Sequence, residues 1–235
     1  MDLLLVSATL FEIRPILIKL ILVKKQNDQL SSYRYKDINI DILIPGIGMV
    51  PTAYCLGRQL AQKHYDLAIN AGIAGTFTKS LALGSVVNVV EDCVPELGAE
   101  DGDRFLSVFE LGLTDPDAHP YKGGKLVNEC FDSGLFKNNG VIGKLQKVKA
   151  ITSNTVRGNA ESITRIQRIA QVDIESMEGA AFFYACLSEN IPFLQIRSIS
   201  NRVEERDKSR WNLDLSLKNL NKVLWEIASF HSKSD

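Results

Sequence analysis

The 235-residue sequence lacks an excess of charge of either sign, with 27 basic residues, 28 acidic residues and a net charge of −1. Proteins that bind nucleic acid or an anionic membrane through surface charge need a basic patch, and this composition offers none. A membrane-spanning run is also missing, because Arg14, Pro15 and Lys19 interrupt the apolar segment Ile13–Val23. We therefore expect neither nucleic acid nor a membrane as a partner.

Cysteine and histidine are scarce and widely spaced. The cysteines form no Cys-x-x-Cys pair, which argues against metal or redox chemistry and is typical of small buried thiols in a reducing compartment. The histidines show no ligand spacing, so we expect no metal, and we expect no organic cofactor either. The start Met1-Asp2 carries no basic segment, and we expect a cytoplasmic protein without a signal peptide. These residues are Cys55, Cys93, Cys130, Cys186, His64, His119 and His231.

Short β-type runs alternate with segments of helical spacing, which predicts an α/β fold with a central mixed β-sheet flanked by helices. No linker-like break divides the chain, and we expect one catalytic domain over residues 1–235. The predicted strands are Leu3–Val6, Ile38–Ile44, Leu67–Asn70, Ser85–Glu91, Lys147–Thr152, Gln171–Ile174 and Pro192–Ser198. The predicted helices are Ile13–Val23, Met49–His64, Ala160–Ala170, Glu178–Glu189 and Leu213–Phe230.

The segment Val94–Gly140 shows the least regular pattern and is rich in Gly, Asp and Pro. It is long for a plain connection between two elements of a compact domain. We expect it either to carry a function or to contain short elements that the pattern does not reveal.

The segment Val172–Ala181 is the most informative part of the chain. An apolar strand delivers Glu175 and Glu178, and small residues then open a helix. The helix dipole alone explains Glu178 well, but it explains Glu175 poorly because Glu175 closes an apolar strand. Either carboxylate can bind ribose hydroxyls, with Met177 as an apolar wall beneath the sugar. A carboxylate on the 2′-hydroxyl assists glycosidic cleavage, because their hydrogen bond strengthens as the ring becomes an oxocarbenium ion.

Two further polar residues follow predicted strands. Glu12 lies just past the first strand, and Asn201 follows the strand Pro192–Ser198. Carboxyl ends of strands are where open α/β sheets bind ligands, so these residues and the two glutamates are expected at one edge. Such a site suits cleavage of an N-glycosidic bond, with Glu12 orienting a water. The alternatives are that Glu12 only favours a helix start and that Asn201 is only a turn residue.

Two glycine-rich turns are predicted at strand ends, Gly46–Gly48 and Asn70–Gly75. Glycine lets the backbone approach a ligand closely, and free N–H groups before a helix suit an anion or a polarised hydroxyl. Neither turn contains Arg or Lys. Nothing in them would neutralise a phosphate dianion.

Taken together, these segments resemble those of the nucleoside phosphorylase and nucleosidase superfamily, in the same order and over nearly the whole chain. Within it, the pattern is most similar to that of futalosine hydrolases of the alternative menaquinone pathway. It is also similar to that of methylthioadenosine/S-adenosylhomocysteine nucleosidases. The most specific part is the motif Glu-x-Met-Glu-Gly. The segments are Ala8–Glu12, Gly46–Gly48, Asn70–Gly75, Ile174–Ala180 and Ser198–Asn201.

The resemblance implies a role for each matching residue. Glu12 corresponds to the glutamate that activates the attacking water, Glu178 binds the 2′-hydroxyl, and Asn201 completes the catalytic set. Val156 stands where the family places an aromatic residue against the base. Arg157 or the Thr and Ser hydroxyls beside it are candidates for a substrate carboxylate, and the alternative is that the segment Pro95–Asp101 shapes the end that holds the 5′ substituent. The residues expected to bind substrate are Glu175, Met177, Ile73, Ala74, Gly75 and Val156. The family also implies a homodimer or a higher homo-oligomer.

Asn201 replaces the aspartate that adenine-specific nucleosidases carry. An amide can donate to the 6-carbonyl of hypoxanthine and accept from a protonated N7, whereas a carboxylate there would face an acceptor. A buried mismatch of that kind costs about 1–3 kcal/mol, so Asn201 favours a 6-oxopurine nucleoside such as futalosine. Since an amide is no acid, Asp207 or Glu204 is a candidate to protonate the base through water.

Hydrolysis is expected rather than phosphorolysis, because the glycine-rich turns lack the arginines with which phosphorylases hold phosphate. The alternatives are a methylthioadenosine/S-adenosylhomocysteine nucleosidase, a nucleoside phosphorylase and a non-catalytic nucleoside-binding protein. Asn201 argues against the first, and retention of Glu12 argues against the last.

Overall fold

The computed structural model describes residues 1–129 and 140–231, with residues 230 and 231 described by their backbone alone. Cys130, part of the segment Val94–Gly140 and the side chain of His231 lie outside the described residues. The strands are β1 Asp2–Val6, β2 Ile21–Lys25, β3 Leu30–Tyr35, β4 Ile38–Leu43, β5 Leu67–Thr76, β6 Val86–Cys93, β7 Gly98–Asp101, β8 Arg104–Ser107, β9 Tyr121–Lys122, β10 Lys125–Val127, β11 Gln146–Thr152, β12 Ile174–Ser176 and β13 Phe193–Arg202. The helices are α1 Leu10–Leu17, α2 Met49–Leu60, α3 Ala160–Ile169, α4 Gly179–Ser188 and α5 Leu213–His231.

Eleven strands form one mixed sheet in the order β2-β3-β4-β1-β5-β12-β11-β6-β10-β9, and β13 pairs with both β5 and β6. The α/β class with a central mixed sheet is thereby confirmed. Because β13 joins β5 to β6, the strands β5, β12, β11, β6 and β13 close into a ring of pairings. This ring brings Glu175 of β12 and Asn201 of β13 to opposite sides of Gly75 in β5.

Hydrophobic cores cover both faces of the sheet and take alternate residues of β1. Leu4 and Val6 belong to the core that includes α2 and α4, whereas Leu3 and Leu5 belong to the core that includes α1 and α5. A strand that is buried on both faces is apolar at every position, which explains the continuous apolar runs of the sequence.

Three predicted elements differ from the structure. The predicted helix Ile13–Val23 is wrong in its second half, because α1 ends at Leu17 and Ile21–Lys25 pairs with β3 as an edge strand. A short apolar run does not by itself separate a helix from a strand, and here the neighbouring strand decides. The strand predicted at Gln171–Ile174 is Ile174–Ser176, because its partners in β5 and β11 lie opposite those residues.

The glycine-rich turn predicted at Asn70–Gly75 is also wrong, since these residues continue β5 as far as Thr76. Their backbone groups are hydrogen-bonded to β13 along this stretch and to β12 at its end, so the glycines lie inside the sheet. In the irregular segment, the described residues form the short strands β7 to β10. None of the helices in the described ranges combines the length and hydrophobicity needed to cross a membrane.

Candidate active site

The predicted catalytic residues and the residues expected to bind substrate line one cavity of about 370 Å³. This volume falls within the ~300–1,000 Å³ typical of small-molecule sites. The structure therefore brings together residues from five separate parts of the chain. They are Glu12, Ile73, Ala74, Gly75, Val156, Glu175, Met177, Glu178 and Asn201.

Glu12 is held by the start of α1 and by the neighbouring strand β5. Its Oε2 accepts hydrogen bonds from the backbone N–H and the hydroxyl of Thr9, each at 3.1 Å, and from the Ser7 hydroxyl at 3.2 Å. Its Oε1 accepts from the N–H of Ile73 at 3.2 Å. The carboxylate is 8 % exposed, so it faces the cavity in a fixed orientation. Glu12 thus both caps its helix and presents one oxygen to the site.

Glu178 lies at the start of α4 and faces the turn before α2. Its Oε1 accepts a hydrogen bond of 3.0 Å from the N–H of Gly48, so this glycine turn binds a carboxylate of the protein itself. Both Gly46 and Gly48 have positive φ angles, of 106° and 98°, which glycine adopts without strain. Burial raises the pKa of Glu178, and the opposing charge of Arg197 limits the rise.

Arg197 is a buried arginine behind the cavity that the sequence pattern did not reveal. It lies in β13, is 1 % exposed, and its Nη2 is 3.9 Å from Oε2 of Glu178. A Cβ added at Gly72 would lie 2.8 Å from Oε1 of Glu12 and 3.1 Å from Nη1 of Arg197. Glu12 and Arg197 thus both approach Gly72, and we call the group of Glu12, Glu178 and the underlying Arg197 the acidic end of the cavity.

Glu175 lines the cavity, but its carboxylate is directed to Arg157. Its Oε2 accepts from Nη1 of Arg157 at 3.1 Å, and its Oε1 accepts from the Arg157 N–H at 3.4 Å. Glu96 binds the other side of the same guanidinium at 2.9 Å. Burial raises the pKa of Glu175, against the effect of Arg157. Arg157 is therefore neutralised by two glutamates and is no free partner for a substrate carboxylate, which does not support the predicted role of Arg157.

Asn201 enters the cavity from β13, at a bulge in its pairing with β5 between Ile199 and Asn201. Its Oδ1 accepts from the Ser200 hydroxyl and its Nδ2 donates to the Arg202 carbonyl, both at 2.8 Å. An amide has two N–H groups and two lone pairs, so one of each remains for a ligand. The side chain is 7 % exposed, which gives it a fixed position beside Gly75.

Apolar side chains complete the neutral part of the cavity. Val156 and Trp211 lie beside Asn201, and we call these three residues the amide end. Phe11 and Ile47 also line the cavity and are each 62 % exposed. The sequence interpretation missed Trp211, Phe11 and Ile47, although a tryptophan close after Asn201 is a rare residue that could have drawn attention.

The two candidate proton donors lie outside this cavity. The hydrogen bond from the Ser209 hydroxyl holds the pKa of Asp207 below its usual range, and the carboxylate also pairs with Arg210 at 3.3 Å. Glu204 pairs with the same arginine at 3.3 Å. A carboxyl group with a lowered pKa is a poor acid near neutral pH, so the geometry does not favour Asp207 for this role.

The chain belongs to the phosphorylase superfamily, whose sequence profile matches residues 6–229. The resemblance seen in the sequence is thereby confirmed at the level of the family.

The relatives of this chain include futalosine hydrolases and 5′-methylthioadenosine/S-adenosylhomocysteine nucleosidases. The chain is 28% identical to a futalosine hydrolase of Streptomyces coelicolor over 194 residues, which cover 80% of this chain and 78% of that protein. It is 25% identical to a 5′-methylthioadenosine/S-adenosylhomocysteine nucleosidase of Maridesulfovibrio salexigens, over 75% of this chain and 74% of that protein. The structure of a futalosine hydrolase of Helicobacter pylori superposes with a TM-score of 0.79 at 16% identity, covering 97% of each chain. At that identity the superposition shows a shared fold.

Proposed function

We propose that this protein is an N-glycosyl hydrolase that cleaves futalosine into hypoxanthine and dehypoxanthine futalosine, a step of menaquinone biosynthesis. The observation that carries the proposal is the arrangement of the cavity, with two carboxylates at one end and a neutral amide at the other. The acidic end flanks Gly72 and the amide end flanks Gly75. Three residues of strand span about 10 Å, which matches the length of a purine joined to a ribose.

The charges at the acidic end fit an oxocarbenium-like transition state. Two carboxylates and one guanidinium leave a net negative charge where the sugar would become cationic. Glu12 orients and deprotonates the attacking water, and the ionised Glu178 accepts the hydrogen bond of the 2′-hydroxyl. Arg197 lies beneath the carboxylates, and its positive charge offsets part of the repulsion between them.

Water is the nucleophile in this proposal. Among the described residues, no lysine or arginine lines the cavity, so a phosphate dianion would meet two carboxylates without a cationic partner. A phosphorylase would need the opposite charge at this place.

Asn201 supports hypoxanthine as the leaving base. Its remaining N–H can donate to the 6-carbonyl, and its remaining lone pair can accept from N7 once that nitrogen is protonated. Val156 and Trp211 offer apolar contact to the faces of the base. The proton reaches N7 from solvent.

The closeness to futalosine hydrolases supports the same substrate. Incubation with futalosine, inosine and methylthioadenosine in phosphate-free buffer, followed by chromatography of the released base, tests the proposal. We expect hypoxanthine from futalosine, and no release by the matched Glu12→Gln protein. Adenine from methylthioadenosine with no hypoxanthine from futalosine would overturn it in favour of the adenine nucleosidase.

We also propose that the chain acts as one catalytic domain and forms a homodimer through the face of α2. Val50 and Tyr54, one helical turn apart, are 77% and 65% exposed, which is unusual for apolar side chains on one face. Light scattering should give twice the chain mass, and Val50→Glu should reduce it to one. A monomeric wild type would contradict the proposed dimer.

We also propose a cytoplasmic location, which is supported by Cys55 and Cys93, since these cysteines form no disulfide.

A further inference from the structure

Asp92 is a buried carboxylate outside the cavity. Hydrogen bonds connect it both to Arg197 and to the start of α4, next to Glu178. Asp92 lies in β6, is 0% exposed, and accepts hydrogen bonds on both oxygens. Its Oδ2 accepts from Nε2 of Gln195 at 3.0 Å, and its Oδ1 accepts from the hydroxyl of Thr152 at 2.9 Å. A fully buried charge is costly, and its two hydrogen bonds lead in two directions.

The first chain of hydrogen bonds runs from Arg197 to Asp92. Nη1 of Arg197 donates to Oδ1 of Asn70 at 3.2 Å, and Nδ2 of Asn70 donates to Oε1 of Gln195 at 3.3 Å. Nε2 of Gln195 then donates to the carboxylate. Every bond in this chain points toward Asp92.

The second chain runs from the start of α4, next to Glu178. The N–H of Ala180 donates to Oγ1 of Thr152 at 2.7 Å, and Thr152 donates to Asp92. A Cβ added at Gly179 would overlap Oδ2 of Asp92, so the carboxylate also packs directly against the first residue of this helix.

A carboxylate is the one protein group of this size that only accepts hydrogen bonds, so it fixes the direction of both chains. Burial raises the pKa of Asp92 to about 6, against the effects of Gln195, Thr152 and Arg197. Both side-chain partners donate to the carboxylate, which is the arrangement that its ionised form requires. An asparagine in its place would turn an N–H group toward one of the two donors.

We propose that Asp92 is a positioning residue for the glycosidic cleavage, acting as the common acceptor that holds Arg197 and the start of α4 with Glu178 in register. This inference rests on the proposed function. It predicts that breaking either chain lowers turnover while nucleoside binding is retained. A misplacement of about 1 Å near reacting groups can reduce the rate about 10²-fold.

The kinetic test compares Asp92→Asn, Thr152→Val and Thr152→Ser with wild type, on the nucleoside that the wild type cleaves. We expect Asp92→Asn and Thr152→Val to lower kcat about 10- to 100-fold with KM within about threefold, and Thr152→Ser to restore kcat through its hydroxyl. In an Arg197→Lys background, Asp92→Asn should cost less than in wild type, because only the chain through Thr152 is then left to break. Equal losses in both backgrounds would overturn the proposal.

Asp41 supplies the matched control. It is 3% exposed and accepts from Ser32, Tyr65 and Lys63 at 2.6, 2.7 and 3.0 Å. Asp41→Asn removes a buried charge that has no part in the two chains, so it should lower the melting temperature and leave kcat unchanged. If Asp92→Asn behaves in the same way, Asp92 is only structural and the proposal fails.

A measurement independent of turnover separates this inference from the proposed function. Protein labelled with nitrogen-15 arginine should show the buried Nε–H signal of Arg197, identified by its loss in Arg197→Lys. We expect this signal to shift or broaden in Asp92→Asn and in Gln195→Met, which break the chain that ends at Arg197, but not in Asp41→Asn. An unchanged signal overturns the positioning role, whereas an inactive wild type with the expected shift overturns only the proposed function.

Discussion

The two ends of the cavity hold their side chains in different ways. At the acidic end, Glu12 and Glu178 are fixed by backbone N–H groups, and the buried guanidinium of Arg197 lies 3.9 Å from Glu178. At the amide end, Asn201 is fixed by its neighbours in sequence, Ser200 and Arg202, and no charge is involved. Under the proposed function, we expect the acidic end to determine the rate and the amide end to determine which base leaves.

The largest effect is expected at the acidic end, from Glu12→Gln. Glutamine keeps the size of the side chain and can still accept from Thr9, but it cannot take a proton from water. Loss of a general base costs about 10²–10⁴ in rate, so we expect turnover to fall about 10³-fold with nucleoside affinity retained. Single-turnover kinetics and calorimetric titration measure the two quantities. A variant that loses affinity but keeps its rate would reverse the assignment of the two ends.

Glu178→Gln should lower kcat about 10²-fold, because the carboxylate stabilises charge that develops only in the transition state. The pH dependence adds a second check. Burial raises the pKa of Glu178, so its carboxylate is lost at a higher pH than that of an ordinary glutamate as the solution is acidified. In wild type, kcat/KM should fall as pH drops through this raised pKa. The remaining activity of Glu178→Gln should lack this decline, and an identical profile would exclude the role.

Asn201→Asp tests the amide end. The carboxylate would face the 6-carbonyl of hypoxanthine, at a cost of about 1–3 kcal/mol, and would accept from the 6-amino group of adenine. We therefore expect the hypoxanthine-to-adenine preference in kcat/KM to fall about 10- to 100-fold. Competition between an adenine and a hypoxanthine nucleoside in one reaction measures the ratio directly. If both rates fall equally, Asn201 does not recognise the base.

Gly72→Ala and Gly75→Ala form a matched pair, one at each end. The added methyl group would crowd Glu12 and Arg197 at position 72, and Val203 and Asn201 at position 75. We expect roughly tenfold effects, which correspond to about 1.4 kcal/mol of crowding. Position 72 should affect kcat, and position 75 should affect KM and base preference. Initial-rate kinetics on two nucleosides measure kcat, KM and base preference for each variant. The same response from both variants would contradict the separate roles of the acidic end and the amide end.

The sequence predicted Glu12, Glu178 and Asn201 because each follows an apolar strand, and carboxyl ends of strands meet at one edge of a sheet. Arg197 and Asp92 escaped notice because each lies within a strand, where a single polar residue suggests a solvent-facing position. Their burial depends on the ring closed by β13, which no local pattern specifies.

The orientation of the Glu175 side chain could not be predicted from the sequence either. Its partner Arg157 lies 18 residues earlier, in a segment without a strand or helix pattern, and only the fold brings the two together. The extent of β5 was missed for a related reason. The glycines of Asn70–Gly75 favour a turn locally, whereas two neighbouring strands satisfy their backbone groups and keep them extended.

The glycines of β5 also bear on how such a site can evolve. Along Gly72–Gly75 the strand presents mostly main chain and small side chains to its surroundings, and a main chain is the same whatever the mutation. A substitution can fill the space beside this wall, but it cannot readily give the wall a different substrate specificity. New substrates would have to be accommodated by residues on the facing elements, such as Asn201, Val156 and Trp211. Variation among descendants of this chain should therefore collect on one side of the cavity and spare the other.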